Sequence, residues 1–177
     1  LTEFTDNACS YPAVDQFAAL AVCVKDIVGR NTLVTYAADW SEYHHAAGGW
    51  YNMDKLWACD AIDFIGIDAY FPLTEDLAPN QITPELIKQG WESGEGWSYY
   101  YNADRSVRNN FDDAKYAWKN LEYWWKNNHQ QPDGRQTAWR PCMKPIWFTE
   151  MGFPSVDACS NQRPRDEAQR LDGQITA

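Results

Sequence analysis

A buried strand that hands a carboxylate to a loop is the feature that most limits what this chain can fold into. Residues 144–157 read KPIWFTEMGFPSVD. Pro145 opens the segment, and Ile146, Trp147 and Phe148 make a short apolar run of the kind carried by strands buried on both faces. Thr149 and Glu150 follow, and Gly152 and Pro154 stop the strand. Glu150 therefore falls at the C-terminal tip of a strand, where the chain bends into a loop. In α/β barrels that position borders the active-site mouth. A strand cap or an arginine partner is the plainer role for such a glutamate. What argues for a site is that two other stretches repeat the design.

Residues 32–38 (TLVTYAA) run into Asp39-Trp40-Ser41-Glu42-Tyr43, and residues 62–68 (IDFIGID) run into Ala69-Tyr70-Phe71-Pro72. Ahead of the first lies an amphipathic helix expected over 13–28, with Phe17, Leu20, Ala21, Val24, Ile27 and Val28 on its apolar face and Gly29 as its stop. A short helix is expected over 53–59. Residues 73–143 form a long excursion, rich at first in Gly, Pro and aromatics, then helical over 112–127, where Ala114, Ala117, Trp118, Leu121, Trp124 and Trp125 share a stripe. Residues 166–171 read as the start of another helix. This order of strands and excursions predicts an α/β fold with parallel strands. An eight-stranded barrel needs about 250 residues. Three strands in 177 residues predict the C-terminal part of a (β/α)8 TIM barrel, one partial domain over residues 1–177 with an aromatic-rich insertion at 73–143. A doubly wound sheet competes less well, because no Gly-rich phosphate loop follows any strand.

Net charge is −10, without a Lys/Arg cluster, which argues against nucleic acid and anionic membrane surfaces as partners. No apolar run approaches the roughly 18 residues of a membrane span. No signal peptide is visible, and an opening Leu1 in place of Met reads as part of something longer. Five cysteines, an odd number without a C-x-x-C pair, leave at least one thiol free. Cys23 sits in the apolar helical pattern and reads as packing. His44 and His45 are adjacent and cannot share a helix face, so no metal site is expected. No cofactor motif is present.

Carboxylates at strand tips with aromatics nearby fit a glycoside-hydrolysing cleft. Two carboxyl groups about 5–5.5 Å apart give retention, and a wider gap admits water and gives inversion. Aromatic faces suit the C–H surface of a pyranose ring. Trp118, Trp124 and Trp125 have the spacing of core residues. Trp91, Trp97 and Tyr99 to Tyr101 lie among glycines and make a better sugar platform. Asp39 and Glu42 could equally be structural.

Residues 34–43 (VTYAADWSEY), 63–75 (DFIGIDAYFPLTE) and 144–157, with 94–105 (GEGWSYYYNADR) between them, resemble the signature blocks of the TIM-barrel-like domain in the baseplate hub protein of gene transfer agents and related tailed phages. The likeness reaches from the start of the chain to about Gln162. It implies a glycoside-hydrolase-like barrel related to retaining enzymes, with Glu150 as nucleophile on the seventh strand. It also implies Tyr70, at the end of the sixth, as the hydrogen-bond donor to that nucleophile. The implied acid/base glutamate lies on the fourth strand, just before a Leu-Thr like Leu1-Thr2, and Glu3 is the nearest substitute in this chain. Asp39, Trp40, Glu42, Asp68, Tyr70, Trp97 and Tyr99 are then the expected substrate-binding residues. The implied setting is a phage-like tail tip acting on host envelope polysaccharide, among other baseplate proteins in a hub assembly such as a trimer. The competing reading is a barrel kept as a structural or glycan-binding baseplate module without turnover.

Overall fold

The computed structural model describes residues 1, 11–75, 77–102, 106–153 and 159–161. Glu3 and the helix expected over 166–171 lie outside them. In chain order the elements are α1 (Pro12–Val28), β1 (Ala37–Asp39), α2 (Asp54–Trp57), β2 (Ile65–Asp68), α3 (Pro84–Gln89), β3 (Tyr99–Tyr101), β4 (Arg108–Asn110), α4 (Leu121–Lys126) and β5 (Ile146–Glu150). The chain divides into two compact units, Leu1–Tyr70 with Asn120–Met151, and Phe71–Lys119 with Gly152–Ala177.

In the first unit, α1 begins on Pro12, whose fixed φ suits a first helical position, and stops at Gly29, whose φ of 79° a side chain would resist. Only part of the expected face is buried. Val14 and Ala21 are buried, while Phe17, Leu20 and Ile27 are exposed, Ile27 by 84%. Lys25 explains the rotation. Its ammonium donates to Asp63 (2.6 Å) and to the Thr32 carbonyl (2.8 Å), and Asp63 also accepts the Val34 N–H (2.6 Å). An ion pair thus ties the helix to the feet of β1 and β2, and the apolar stripe is turned outward. Cys23, expected to pack, is exposed.

The three strands form one parallel sheet in the order β1-β2-β5. The fold is mixed α/β, and no closed barrel exists among the described residues. β2 is central, with Ile65 and Ile67 fully buried. The burial on both faces expected of the last strand belongs to β2 instead. β5 pairs with β2 on one side only among the described residues, so Trp147 and Phe148 stay 49% and 42% exposed. Trp147 has one ring face on Phe64, 4.3 Å between centroids. Gly66 makes the close approach of strands possible, since a Cβ there would lie 2.7 Å from the Tyr36 carbonyl oxygen and 3.1 Å from the methyls of Thr35 and Thr149. Gly66→Ala is expected to lower stability by about 1–3 kcal/mol through this overpacking, read as a lower urea midpoint. An unchanged midpoint would show that the strands separate freely.

The helix expected over 112–127 is interrupted. A 3-10 turn at Ala114–Tyr116 is capped by the Asp113 carboxylate, and α4 starts afresh where the Asn120 side chain accepts the Tyr123 N–H. Two capping side chains compete with helix continuation at that point. Trp124 and Ala117 are buried as the stripe predicted. In the second unit, β3 and β4 form an antiparallel hairpin. Lys119 is buried there and donates to the carbonyls of Gly90 (2.7 Å) and Ser93 (2.9 Å). Desolvation lowers its pKa to about 8. No helix among the described residues is long and apolar enough to cross a membrane.

Candidate active site at the strand tips

Parallel pairing brings three carboxylates into one row. Asp39 stands opposite Asp68, and Asp68 opposite Glu150, at the C-terminal ends of β1, β2 and β5. The last pairing depends on an irregularity. Ile67 pairs with Phe148, but Asp68 pairs with Glu150, so Thr149 is an extra residue on β5. Such a bulge re-aims the side chains that follow it. Without it the strand's alternation would set Thr149 opposite Asp68 and turn Glu150 to the other face.

Hydrogen bonds fix each acid. The Tyr70 hydroxyl donates to Glu150 Oε2 at 2.7 Å, and the Ala69 N–H donates to the Glu150 carbonyl at 2.8 Å. The Thr149 hydroxyl donates to Asp68 Oδ1 at 2.8 Å. Asp39 Oδ1 accepts from both the N–H and the hydroxyl of Ser41 (2.8 and 2.6 Å), an Asx turn that also serves its structural reading. Glu42 Oε2 accepts the Tyr36 hydroxyl at 3.1 Å. Burial, and then the neighbouring Glu42, Asp68 and Asp39 carboxylates, push the Tyr36 phenol up to about 12. The hydrogen bond to Glu150 leads the causes that raise the Tyr70 phenol, which is otherwise open to solvent. Both phenols therefore stay protonated at neutral pH and act as donors. Asp39 and Glu150 are exposed and Asp68 is partly so, which leaves the row open to a ligand.

Sequence reasoning named Asp39, Asp68, Tyr70 and Glu150, which share this row. Trp40 and Glu42 lie just beyond β1, both partly buried. Trp97 and Tyr99 belong to the second unit. Trp97 is partly buried. Tyr99 is only 4% exposed, with Arg108 3.8 Å above its ring and its hydroxyl on Glu75, which leaves little of its face for a sugar. Tyr36 and Thr149 were missed. A hydroxyl-bearing aromatic inside an apolar run, three residues before its acidic tip, was the available signal for Tyr36.

His44 and His45 are neighbours in space as in sequence, with their Nδ1 atoms 2.8 Å apart, so one donates to the other. Among the described residues no group of three or more His, Cys, Asp or Glu could hold a metal ion. Burial lowers the His45 pKa from an ordinary 6.5 to about 4. The sign follows from which state takes the proton. Above 6.5 His45 is neutral both folded and unfolded. Between 6.5 and 4 the unfolded chain binds a proton that the folded chain refuses, so stability falls with pH. At roughly 1.4 kcal/mol per tenfold in proton affinity, the loss reaches about 3 kcal/mol and stops below the folded value. His45→Gln is expected to remove that part of the difference between urea melts at about pH 7 and about pH 4. An unchanged pH slope would place the acid sensitivity elsewhere.

The sequence matches the family model of the gene transfer agent TIM-barrel-like domain over residues 1–167. No curated protein matches the chain.

Proposed function

Because the chain belongs to the gene transfer agent TIM-barrel-like domain family, we propose that it hydrolyses glycosidic bonds of host envelope polysaccharide at the tail tip of a phage-like particle. The family sets the chain among gene transfer agent and phage-related proteins, in a particle with other tail proteins. The observation that carries the hydrolytic reading is Glu150, exposed at a strand tip, aligned by a bulge with Asp68 and Asp39, and held by the Tyr70 hydroxyl at 2.7 Å.

In this reading the Glu150 carboxylate attacks the anomeric carbon and the glycosidic C–O bond breaks. The departing oxygen takes a proton from a second carboxylic acid, and water then releases the sugar from the ester, with net retention. The Tyr70 hydrogen bond orients the free oxygens of Glu150 for attack. Asp39, Asp68 and Glu42 accept hydrogen bonds from sugar hydroxyls, and Trp40 offers an apolar face.

A 2-fluoro glycoside with a good leaving group tests the assignment, because it traps the glycosyl ester on the nucleophile. Peptide mapping after incubation with the full chain is expected to find the label on Glu150. A label on another carboxylate would overturn the assignment. Reducing-end release from envelope polysaccharide tests turnover, and none at all would favour the module that only binds.

A further inference from the structure

The acids at and just beyond the strand tips each use one oxygen on the protein. Asp39 Oδ1 is held by Ser41, Asp68 Oδ1 by Thr149, Glu42 Oε2 by Tyr36 and Glu150 Oε2 by Tyr70. The second oxygen of each accepts no hydrogen bond from a described residue. Every group that holds these acids is a neutral hydroxyl or amide, and none of the four forms an ion pair with a described residue. The lysines of the sheet lie at its other end. Lys25 pairs with Asp63 at the feet of β1 and β2, and Lys144, just before β5, donates to the Cys59 carbonyl at 2.5 Å. The two phenols among the acids sense the same field. The charges that act on Tyr36 are Glu42, Asp68 and Asp39, those that act on Tyr70 are Glu150 and Asp68, and all are negative.

We propose that this row takes a glycan whose sugars carry free amino groups, a hexosamine chain without its N-acetyl groups, and turns away chains that bear carboxylates or phosphates. The inference rests on the reading that a glycan lies across the strand tips, and adds the charge of that glycan.

Geometry favours an extended cation over a compact one. Among the described residues no three of these acids converge closely enough to hold a metal ion. They are instead laid out one per strand, Asp39 beside Asp68 and Asp68 beside Glu150. Adjacent strands stand ~4.8 Å apart, close to the length of one sugar unit, so a chain crossing the strands brings successive amines to successive acids. An ammonium group has three donors and no acceptor, which suits a row of free carboxylate oxygens. Its bonds to them are about twice as strong as those of a neutral hydroxyl. A uronate or phosphate would bring like charge and further acceptors against the same oxygens, with no cation to offset them.

Isothermal titration of the full chain at about pH 6, where sugar amines are charged and carboxylates ionised, tests the charge preference. The probes are the glucosamine tetrasaccharide, N-acetylchitotetraose, tetragalacturonate and tetralysine, with reducing-end release followed in the same mixtures. The glucosamine chain is expected to bind about tenfold tighter than its N-acetylated form or better, and the uronate to bind most weakly. The preference should shrink as salt is raised to about 0.5 M, because screening shortens the reach of the acids. Asp39→Asn and Glu42→Gln keep an oxygen for Ser41 and Tyr36 and remove one charge each. Both should reduce the preference by about threefold or more while thermal melts stay in place. Equal affinity for the two hexosamine chains, preference for the uronate, or a preference that both variants leave intact overturns the proposal. So does tetralysine bound as tightly as the glucosamine chain, which would make the row a surface for basic peptides. A glucosamine chain bound with preference and never cut keeps this inference and removes the hydrolytic reading. A neutral chain that is cut, with no preference for the amine, does the reverse.

Discussion

Glu150→Gln is expected to lower reducing-end release from envelope polysaccharide by at least a thousandfold, about 4 kcal/mol of transition-state stabilisation. Glutamine is nearly the same size and its Oε1 can still accept the Tyr70 hydroxyl, so the strand tip should keep its geometry. What it lacks is a charge and a nucleophilic oxygen for the anomeric carbon. The loss should therefore fall on kcat with little change in KM, the pattern of an interaction made only in the transition state. Tyr70→Phe should be milder, about a hundredfold at most, because it frees Glu150 to rotate without removing it. A glutamine variant as active as the parent, or a Tyr70→Phe loss larger than that of Glu150→Gln, would take the nucleophile's role away from Glu150.

How much of this could be read in advance depends on the range of the cause. The acids at strand tips were legible because an apolar run followed by Asp or Glu is a local pattern; β2 and β5 fall inside the expected stretches, and β1 overlaps the end of the 32–38 run and takes in Asp39. Their parallel sense followed from the long connections. The bulge at Thr149 was not legible, since it exists only through the register of β5 against β2. Without it Glu150 would be in the sequence and not in the row. The rotation of α1 was hidden for a similar reason. Periodicity finds an apolar stripe, but the Lys25–Asp63 pair, 38 residues apart in sequence, decides which way the helix faces. Tyr99 shows the converse error. Glycines around an aromatic suggested an exposed platform, whereas the ring is covered by Arg108 and its hydroxyl is engaged by Glu75. The break at Asn120 was missed, because the tryptophan spacing runs unbroken across it while the cap shows only in the structure.

Asp54→Ala is expected to destabilise the protein by about 3–5 kcal/mol, the usual cost of leaving one member of a buried ion pair behind. Against the ~5–15 kcal/mol that holds a typical domain together, this is about a fifth of the total or more. Asp54 is 1% exposed and joined to His129 Nδ1 at 2.9 and 3.0 Å, and it also accepts the Thr137 hydroxyl. His129 Nε2 lies 2.8 Å from the Trp124 carbonyl, which can only accept, so that nitrogen carries a proton. The ring is stacked between Tyr51 and Trp139, nearly parallel to both. Burial raises the Asp54 carboxyl, and the His129 and Thr137 hydrogen bonds pull against it. Alanine removes the acceptor for two donors and leaves a cavity among aromatic rings. Asp54→Asn keeps the shape, can donate to Nδ1 and can still accept from Thr137, so it should cost less than half as much. His129→Ala should cost about as much as Asp54→Ala, and the double variant far less than their sum, because the second substitution removes a partner already lost. Urea unfolding of the four proteins measures all three relations. Strict additivity would mean that the two side chains support the core separately, and that the aromatic stack rather than the ion pair holds this end of the unit together.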